Sequence, residues 1–402
     1  MRMLIAGGGT GGHVFPGIAL AEEVVTRHPD NDVVFVGTAR GLEARVVPAA
    51  GFPIELIEVK GLKGMGPLTT LANLLLLPRA LFQSLRILRK WAPDMVVGVG
   101  GYASGPVALA AWLLRIPTAV QEQNAAAGFT NRILGLFVRA VFTAFPEAGR
   151  YFARRKVYQL GNPIRRELFD NYVHPWKAHD KLRLLVFGGS QGAHALNMRV
   201  IEALPHLADL REQLEVVHQT GARDREAVEK GYRAVGFAPD VRDFITDMSD
   251  AYARSELVVC RAGATTLAEL TVCKKASILV PFPFAADNHQ VMNARSLAQA
   301  GAAVMIEERE LTGELLAREI RSILTEPARR ERMSRAAGSL GRPQAAREIA
   351  DVCTDLVRRR YGSPRGQGRG PDFQPVRPGP AAVAAADAAE ARDPHPSGPP
   401  SP

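Results

Sequence analysis

Short apolar runs bounded by glycine alternate along the chain with longer stretches in which apolar side chains recur every third or fourth residue. Runs of the first kind suit strands buried on both faces, and those of the second suit helices lying over them. The alternation therefore predicts an α/β fold with parallel sheets. In the first half the strand-like runs are Met3 to Ala6, Val33 to Val36, Ile54 to Val59, Met95 to Val99, Thr118 to Gln121 and Val141 to Phe145. Between the first two, Val14, Ile18, Ala21 and Val25 fall on one helical face. The pattern then restarts. Leu182 to Phe187 reads as a new first strand, continued by Leu214 to Gln219, Ala234 to Phe237, Leu257 to Cys260, Ala276 to Val280 and Val304 to Ile306.

Each half opens with a strand, a glycine-rich loop and a helix, which predicts two Rossmann-like domains with parallel sheets facing across a cleft. The expected division is residues 1–161, then 162–341, then a helix within 342–361 packing back on the first domain. Proline, histidine and a loss of periodicity mark the linker from Gly161-Asn162-Pro163 to Asp180. Residues 362–402 are rich in proline, glycine and alanine, with Phe373 their only aromatic, and read as a disordered tail.

Composition narrows the class. At 402 residues, 47% hydrophobic and 23% charged, the chain can build two cores of ordinary size. Its three cysteines, Cys260, Cys273 and Cys353, show no Cys-x-x-Cys spacing, so neither a disulfide framework nor a structural zinc is expected, and a reducing compartment fits. The start runs directly into strand-like residues without a charged-then-apolar leader, and no apolar run reaches spanning length, so a secreted or membrane-spanning protein is not expected. The net charge of +9 admits nucleic acid, anionic lipid or phosphorylated substrates as partners. The tail balances four arginines with four acids, so the positive excess belongs to the folded body.

The chemistry gathers in loops. Gly7-Gly8-Gly9-Thr10-Gly11-Gly12-His13 follows a strand and opens a helix with Pro16 placed in its first turn, so its amides and the helix dipole could hold a phosphate. Glycines 7, 9 and 12 also fit G-x-G-x-x-G. A nicotinamide enzyme would want an acid at the end of the second strand, where Val36-Gly37-Thr38-Ala39 has none. A tight strand-to-helix connection would also use small residues. His13 would project near a bound phosphate, able to donate a hydrogen bond or accept a proton, and is the candidate catalytic residue. Gly98 to Pro106 forms a second glycine loop, and Gln121-Glu122-Gln123-Asn124 places four polar side chains at a strand exit, a pattern that ligand contacts and a solvated loop share.

The second half offers Gly188-Gly189-Ser190-Gln191-Gly192, then Arg261-Ala262-Gly263-Ala264-Thr265-Thr266-Leu267-Ala268-Glu269, then Pro281 to Gln290. Small residues let amides approach an anion, and Glu269 could accept both ribose hydroxyls, so this spacing suits a nucleoside diphosphate. An N-capped helix with an acidic first turn would explain Thr265 and Glu269 but not the preceding Arg-Ala-Gly. Neither a metal-binding cluster nor a P-loop is present, so no metal or other cofactor is expected.

Taken together, Gly8 to Gly17, Gly100-Gly101-Tyr102 with Ser104-Gly105-Pro106, Glu122-Gln123-Asn124, Gly161-Asn162-Pro163 with Arg165, Gly188 to Gly192, and Cys260-Arg261 with Gly263-Ala264 closely resemble the MurG family of peptidoglycan N-acetylglucosaminyltransferases. The likeness runs over about residues 1 to 355, and the chain departs from common family choices at Gln121, Thr265 and His289. The resemblance implies a GT-B glycosyltransferase fold and an inverting hexosyltransferase. It would move N-acetylglucosamine from UDP-N-acetylglucosamine to the 4-hydroxyl of lipid I, giving lipid II. A UDP-sugar epimerase of the same fold is the alternative. Carried across, Arg165, Ser190 and Thr266 would contact phosphates, Ile245 the uracil through its backbone and Glu269 the ribose. Ala264, Gln290 and Asn124 would meet the sugar, with Thr10, Gly11, Gly12, Thr265, Leu267 and Ala268 completing the donor site. The acceptor diphosphate would lie on Gly9, His13, Gly100, Gly101 and Tyr102.

Membrane contact is expected from the residues as well. No acid occurs between Glu58 and Asp94, while Lys60, Lys63, Arg79, Arg86, Arg89 and Lys90 surround Leu74 to Leu77, Leu81, Phe82, Leu85, Leu88 and Trp91. An apolar helical face ringed by cations suits an anionic lipid surface, although a helix covering a sheet also needs such leucines. The expected partners are thus the sugar nucleotide, lipid I and the membrane through residues 60–91, with no nucleic acid. The expected location is peripheral, on the cytoplasmic face of the membrane.

Overall fold

The computed structural model describes residues 1–59, 76–166, 168, 181–189, 192–238 and 240–362. Lys60, Lys63, Leu74, Leu75, Ser190, Gln191, most of the 162–180 linker and the tail beyond Gly362 lie outside them.

Seven strands form the first sheet: β1 (Arg2–Gly7), β2 (Asp32–Gly37), β3 (Ile54–Leu56), β4 (Met95–Gly100), β5 (Thr118–Glu122), β6 (Ala140–Thr143) and β7 (Val157–Gln159). Their order is β3-β2-β1-β4-β5-β6-β7, and every pairing is parallel. The second sheet holds β8 (Leu182–Phe187), β9 (Leu214–Gln219), β10 (Asp240–Arg242), β11 (Leu257–Cys260), β12 (Ala276–Leu279) and β13 (Ala303–Met305), ordered β10-β9-β8-β11-β12-β13 and again all parallel. In both, the first strand lies beside the second and the fourth. The loops leaving that first strand and the fourth therefore flank the switch in strand order, where open α/β sheets bind ligands.

Side-chain alternation divides each core into two layers. Met3 and Ile5 of β1 join Val33, Phe35, Met95 and Val97 under the Gly11–Arg27 helix, while Leu4 and Ala6 join Val34, Val36 and Val96 under Leu77–Trp91 and Ser104–Leu113. The Ala345–Tyr361 helix completes the first layer with Ile349, Ala350, Cys353, Leu356 and Val357, although the preceding residues belong to the second half of the chain. Each fully buried valine, leucine or isoleucine among them contributes about 1.5–3 kcal/mol.

Four sequence expectations shift. Ala234 to Phe237 is not a strand. The Arg225–Ala234 helix runs to Ala234, Gly236 turns the chain at φ 75°, and Phe237 packs on Tyr232 at 6.5 Å. The strand comes later, at Asp240–Arg242, and alternates exposed, buried, exposed. Ile54 to Val59 pairs only as far as Leu56, and Val141 to Phe145 ends at Thr143, because the chain beyond each leaves the ladder while Ile57 and Phe145 remain buried in loops. Pro16 falls in the second helical turn, inside Gly11–Arg27. Strand β7 had no sequence signature: three edge residues, two half-buried and one exposed, after Arg154-Arg155-Lys156 are too short to show a period.

The Leu77–Trp91 helix is first of all a sheet cover. Ala80, Ser84, Ile87 and Leu88 face the core, and Leu77, Leu81, Leu85 and Trp91 pack beside them. Phe82 is left 67% exposed among Arg79, Arg86, Arg89 and Lys90. Among the described residues, no helix is long and apolar enough to cross a membrane.

Candidate active site

At the end of β1 the chain passes through Gly7, Gly8 and Gly9 at φ 153°, 148° and 93°. The reason lies underneath. Glu43 is buried at 1% exposure, and its carboxylate accepts the Gly9 N–H at 2.6 Å, the Thr38 N–H at 2.8 Å and the Thr38 hydroxyl at 2.9 Å. A Cβ on Gly8, Gly37 or Gly41 would overlap that carboxyl group. The glycines are thus needed to close the chain over an acid, and the Gly9 amide expected to meet the acceptor is already engaged. The helix behind the loop starts at Gly11, with Thr10 extended at the cap.

Loop and loop then touch. The Gly8 N–H donates to Gly100 O at 3.2 Å, and a Cβ on Gly101 (φ 78°) would strike the Gly8 backbone. His13 lies against Gly100 with its Nδ1 3.3 Å from the Thr10 hydroxyl. Burial, reinforced by His289 from the second half, lowers its pKa to about 4 against the pull of the Gly8 backbone and Glu43, so the imidazole is neutral at pH 7 and free to accept a proton. Tyr102, two residues after Gly100 in the second loop, stands 56% exposed.

The polar run at the end of β5 divides. Gln121, Glu122 and Gln123 are buried rather than solvated: Gln121 donates to Gly161 O at 3.1 Å and Gln123 to Val99 O at 2.8 Å. Glu122 accepts from Asn124 N, Gly128 N and Asn131 Nδ2 at 2.9–3.0 Å, although burial raises its pKa. Asn124 alone reaches across the cleft, its Oδ1 accepting from Asn293 Nδ2 at 3.1 Å. Asn293 is fully buried on the His289–Gln299 helix, accepts the Ala125 N–H at 2.8 Å and donates to Ala262 O at 3.3 Å. Asn293 therefore links the two halves, and one helical turn on the Ser296 hydroxyl donates to Glu147 at 3.1 Å.

On the second sheet, Gln219 ends β9 and ties two loops. Its Nε2 donates to Gly189 O and its Oε1 accepts the Ile245 N–H, both at 2.8 Å. The Ile245 amide is thus occupied. Beneath lies His218, whose pKa burial lowers to about 3. Asn197 donates through Nδ2 to Thr220 O and Asp224, so its Oδ1 accepts from His218 Nε2, and His218 Nδ1 accepts from the Tyr232 hydroxyl at 3.1 Å.

The Ala264–Val272 helix begins after β11 with Gly263 as its cap. Ala264, Thr265 and Thr266 occupy its first turn, where amides lack intrahelical acceptors. Glu269, 6% exposed, accepts from the Tyr252 hydroxyl at 3.0 Å and lies 3.5 Å from Arg165, which crosses from the linker and stacks 5.9 Å from Phe15. Gln290 Oε1 accepts from Ala262 N and Phe282 N, leaving its amide group to donate. Arg261 accounts for the Arg-Ala-Gly sequence: it holds Val280 O and Pro281 O and pairs with Glu308.

The Leu267 side chain is fully buried and its N–H is bonded to Gly263 O at 3.0 Å, while Ala268 sits within the helix; both face a cavity of about 390 Å³ shared with Asn162 and Gln159. Ile245, Ala264, Thr265, Thr266, Glu269 and Gln290 lie in the loops and helices that follow strands of the second sheet, Arg165 in the linker, Asn124 after β5 and Thr10 to His13 after β1; Ser190 lies outside the described residues. Sequence reading missed Glu43, Gln219 and Asn293.

Two parallel, doubly wound sheets with facing glycine loops define the GT-B fold, which glycosyltransferases share with other enzymes of sugar nucleotides. Residues 3–143 match the glycosyltransferase family 28 N-terminal domain and residues 183–351 its C-terminal domain. The chain belongs to this family and, within it, to the MurG group. It is 81% identical over 378 residues, 94% of this chain and 99% of the relative, to the UDP-N-acetylglucosamine–N-acetylmuramyl-(pentapeptide) pyrophosphoryl-undecaprenol N-acetylglucosamine transferase of Anaeromyxobacter sp. strain Fw109-5. Among solved structures, MurG of Acinetobacter baumannii aligns with TM-score 0.73 at 32% identity, covering 88% of this chain and 99% of that one. A UDP-N-acetylglucosamine 2-epimerase from Listeria monocytogenes aligns at TM-score 0.62 over 94% of this chain and 99% of that one, but at 14% identity it shares the fold alone.

Proposed function

We propose that this protein transfers N-acetylglucosamine from UDP-N-acetylglucosamine to lipid I, forming lipid II. The observation that carries this reading is the meeting of backbone amides and a neutral His13 from the first sheet with the Ala264–Val272 helix start and Glu269 of the second. In this reading residues 1–161 receive the acceptor, residues 162–341 hold the donor, 342–361 return to the first domain, and 362–402 form the tail.

Phosphates of the donor meet Arg165, Ser190 and the free amides of Ala264, Thr265 and Thr266. Glu269 turns from Arg165 to the ribose, and uracil meets Ile245 by its carbonyl or by displacing Gln219 from its amide. Asn124 and the Gln290 amide group face the sugar. The acceptor 4-hydroxyl attacks C1 from the side opposite the departing UDP; the C1–O bond to phosphate breaks, the new C1–O bond forms, and the hydroxyl proton goes to His13. An imidazole with a pKa of about 4 is a weak base in the empty cleft. Two diphosphates nearby would favour its protonated form and raise that value toward neutrality. Inversion at C1 follows from this single displacement.

Radiolabelled sugar should pass from the donor into butanol-extractable lipid only when lipid I is present. A new sugar nucleotide appearing from the donor alone would instead establish an epimerase.

Docking on the cytoplasmic face of the membrane is part of the same proposal, supported by Phe82 exposed among cations on the Leu77–Trp91 helix. Arg79 and Lys90 are partly committed to Glu58 and Glu55, leaving Arg86 and Arg89 to meet lipid. Charge reversal at Arg86 and Arg89 should release the protein from anionic vesicles; unchanged binding would exclude this surface.

A further inference from the structure

The chain passes between its two sheets twice, outward after Gly161 and back before the Ala345–Tyr361 helix. The two crossings touch. Gly161 adopts φ 95°, and a Cβ there would strike the Arg342 Cβ. Both crossings border the cavity of about 390 Å³ beside Leu267, whose other walls are the end of β6, the Ala264–Val272 and His289–Gln299 helices and the end of the Pro327–Leu340 helix. Of the residues given to the donor and acceptor in the proposed reaction, Ala264 alone lines it.

Apolar and polar groups share this lining. Phe145, Leu267 and Leu297 are buried, and Leu340 is exposed at the rim. Asn162 is 3% exposed, and among the described residues neither its Nδ2 nor its Oδ1 has a hydrogen-bond partner. Glu147 accepts from the Ser296 hydroxyl at 3.1 Å through Oε1, while its buried Oε2 has no partner among the described residues. Arg342 is exposed, and among the described residues no acid pairs with it. Buried polar groups without partners are costly, so a ligand that provides them gains what the protein by itself lacks. A carboxylate, a carboxamide and a guanidinium around an apolar hollow match an ammonium, an amide and a carboxylate on an apolar body. Those are the groups of a short peptide with free ends, and two residues of extended chain span about 7 Å.

We propose that this cavity binds an apolar dipeptide, with its ammonium on Glu147 Oε2, its amide on Asn162 and its carboxylate on Arg342. Occupancy would join the outgoing crossing to the returning one and reinforce the Glu147–Ser296 contact between the halves. In the arrangement that this holds, Asn124 is bonded to Asn293 and Glu269 lies beside Arg165, although the proposed donor needs Asn124 and Glu269 for itself. The dipeptide therefore opposes the sugar nucleotide without entering its cleft. That coupling rests on the reaction proposed above; the peptide site does not.

The test is titration calorimetry of the full chain with L-alanyl-L-leucine, and saturable binding of one molecule per chain is expected. Blocking each end of the peptide identifies its contact. Acetylating the amino end should weaken binding about tenfold in the parent but not in Glu147→Gln, and amidating the carboxyl end should do the same in the parent but not in Arg342→Gln. Unfolding midpoints equal to the parent's show both variants folded; should Glu147→Gln fail this control, the exposed Arg342 and the amidated peptide carry the test. Absence of saturable binding, or equal losses on blocking in parent and variants, would overturn the site. Saturating dipeptide should weaken binding of UDP-N-acetylglucosamine about fivefold. An unchanged affinity would overturn the coupling, and failure of the sugar nucleotide to bind at all, with dipeptide binding intact, would sink the proposed reaction instead.

Discussion

The two glycine loops at the heads of the two sheets look alike in sequence and are braced by different chemistry. Under the first lies a carboxylate, Glu43, which consumes the Gly9 amide; under the second lies a carboxamide, Gln219, which takes no donor from the Gly188–Gly189 segment and gives one to Gly189 O. A negative charge below a phosphate site works against the phosphate, and a neutral amide does not. The second loop is therefore better suited to a nucleoside diphosphate. The first retains its rigidity, and in the proposed reaction it would offer the acceptor His13 rather than its own full set of amides.

Breaking the first brace should have the largest effect. Gly8→Ala places a methyl group on the Glu43 carboxyl at φ 148°, and a loss of about 3 kcal/mol in stability is expected, with turnover reduced beyond about a hundredfold. Thermal unfolding and lipid-linked turnover measure the two.

Exchanging the charges sharpens the contrast. Gln219→Glu sets a carboxylate beneath the donor loop and removes the bond to Gly189 O, so KM for the sugar nucleotide should rise about thirtyfold while KM for the acceptor holds. An equal rise for both substrates would show that the two loops are not specialised. Glu43→Gln points an N–H at the Gly9 or Thr38 donor and should destabilise by about 1–3 kcal/mol, with the acceptor KM rising and the donor KM little changed. The measurements are chemical denaturation and initial rates.

Acid should have the most gradual effect. The usual histidine value is 6.5, and the folded protein holds His13 near 4 and His218 near 3, so between these limits the unfolded chain binds more protons than the folded one. Stability then falls as pH drops below about 6.5, by at most about 1.4 kcal/mol per pH unit for each histidine. His13→Ala should make the decline between pH 6.5 and 4 shallower; an identical slope would place the acid sensitivity elsewhere.

Much of this architecture was legible in the chain. Strands buried on both faces must be apolar throughout, and the turns after β1, β4 and β8 need glycine, so runs such as Met3 to Ala6 and Leu182 to Phe187 announce themselves. The residues that brace the site do not. Glu43 follows an ordinary surface turn, Gln219 ends a strand as many polar residues do, and Asn293 interrupts a helix; each acquires its role from a partner 34, 26 or 168 positions away. Gln121 to Gln123 misled for the same reason, since polar side chains that satisfy distant carbonyls resemble solvated ones. Ala234 to Phe237 misled because a buried helix end and a short strand share composition.

The returning Ala345–Tyr361 helix bears on how the protein is made. The first sheet emerges from the ribosome early, yet the side chains that cover one of its layers, from Ile349 to Val357, are synthesised some 340 residues after β1 begins. Until then that apolar layer stays open to water, and the nascent first half is expected to depend on chaperones or on the translation of its own last helix before it can close.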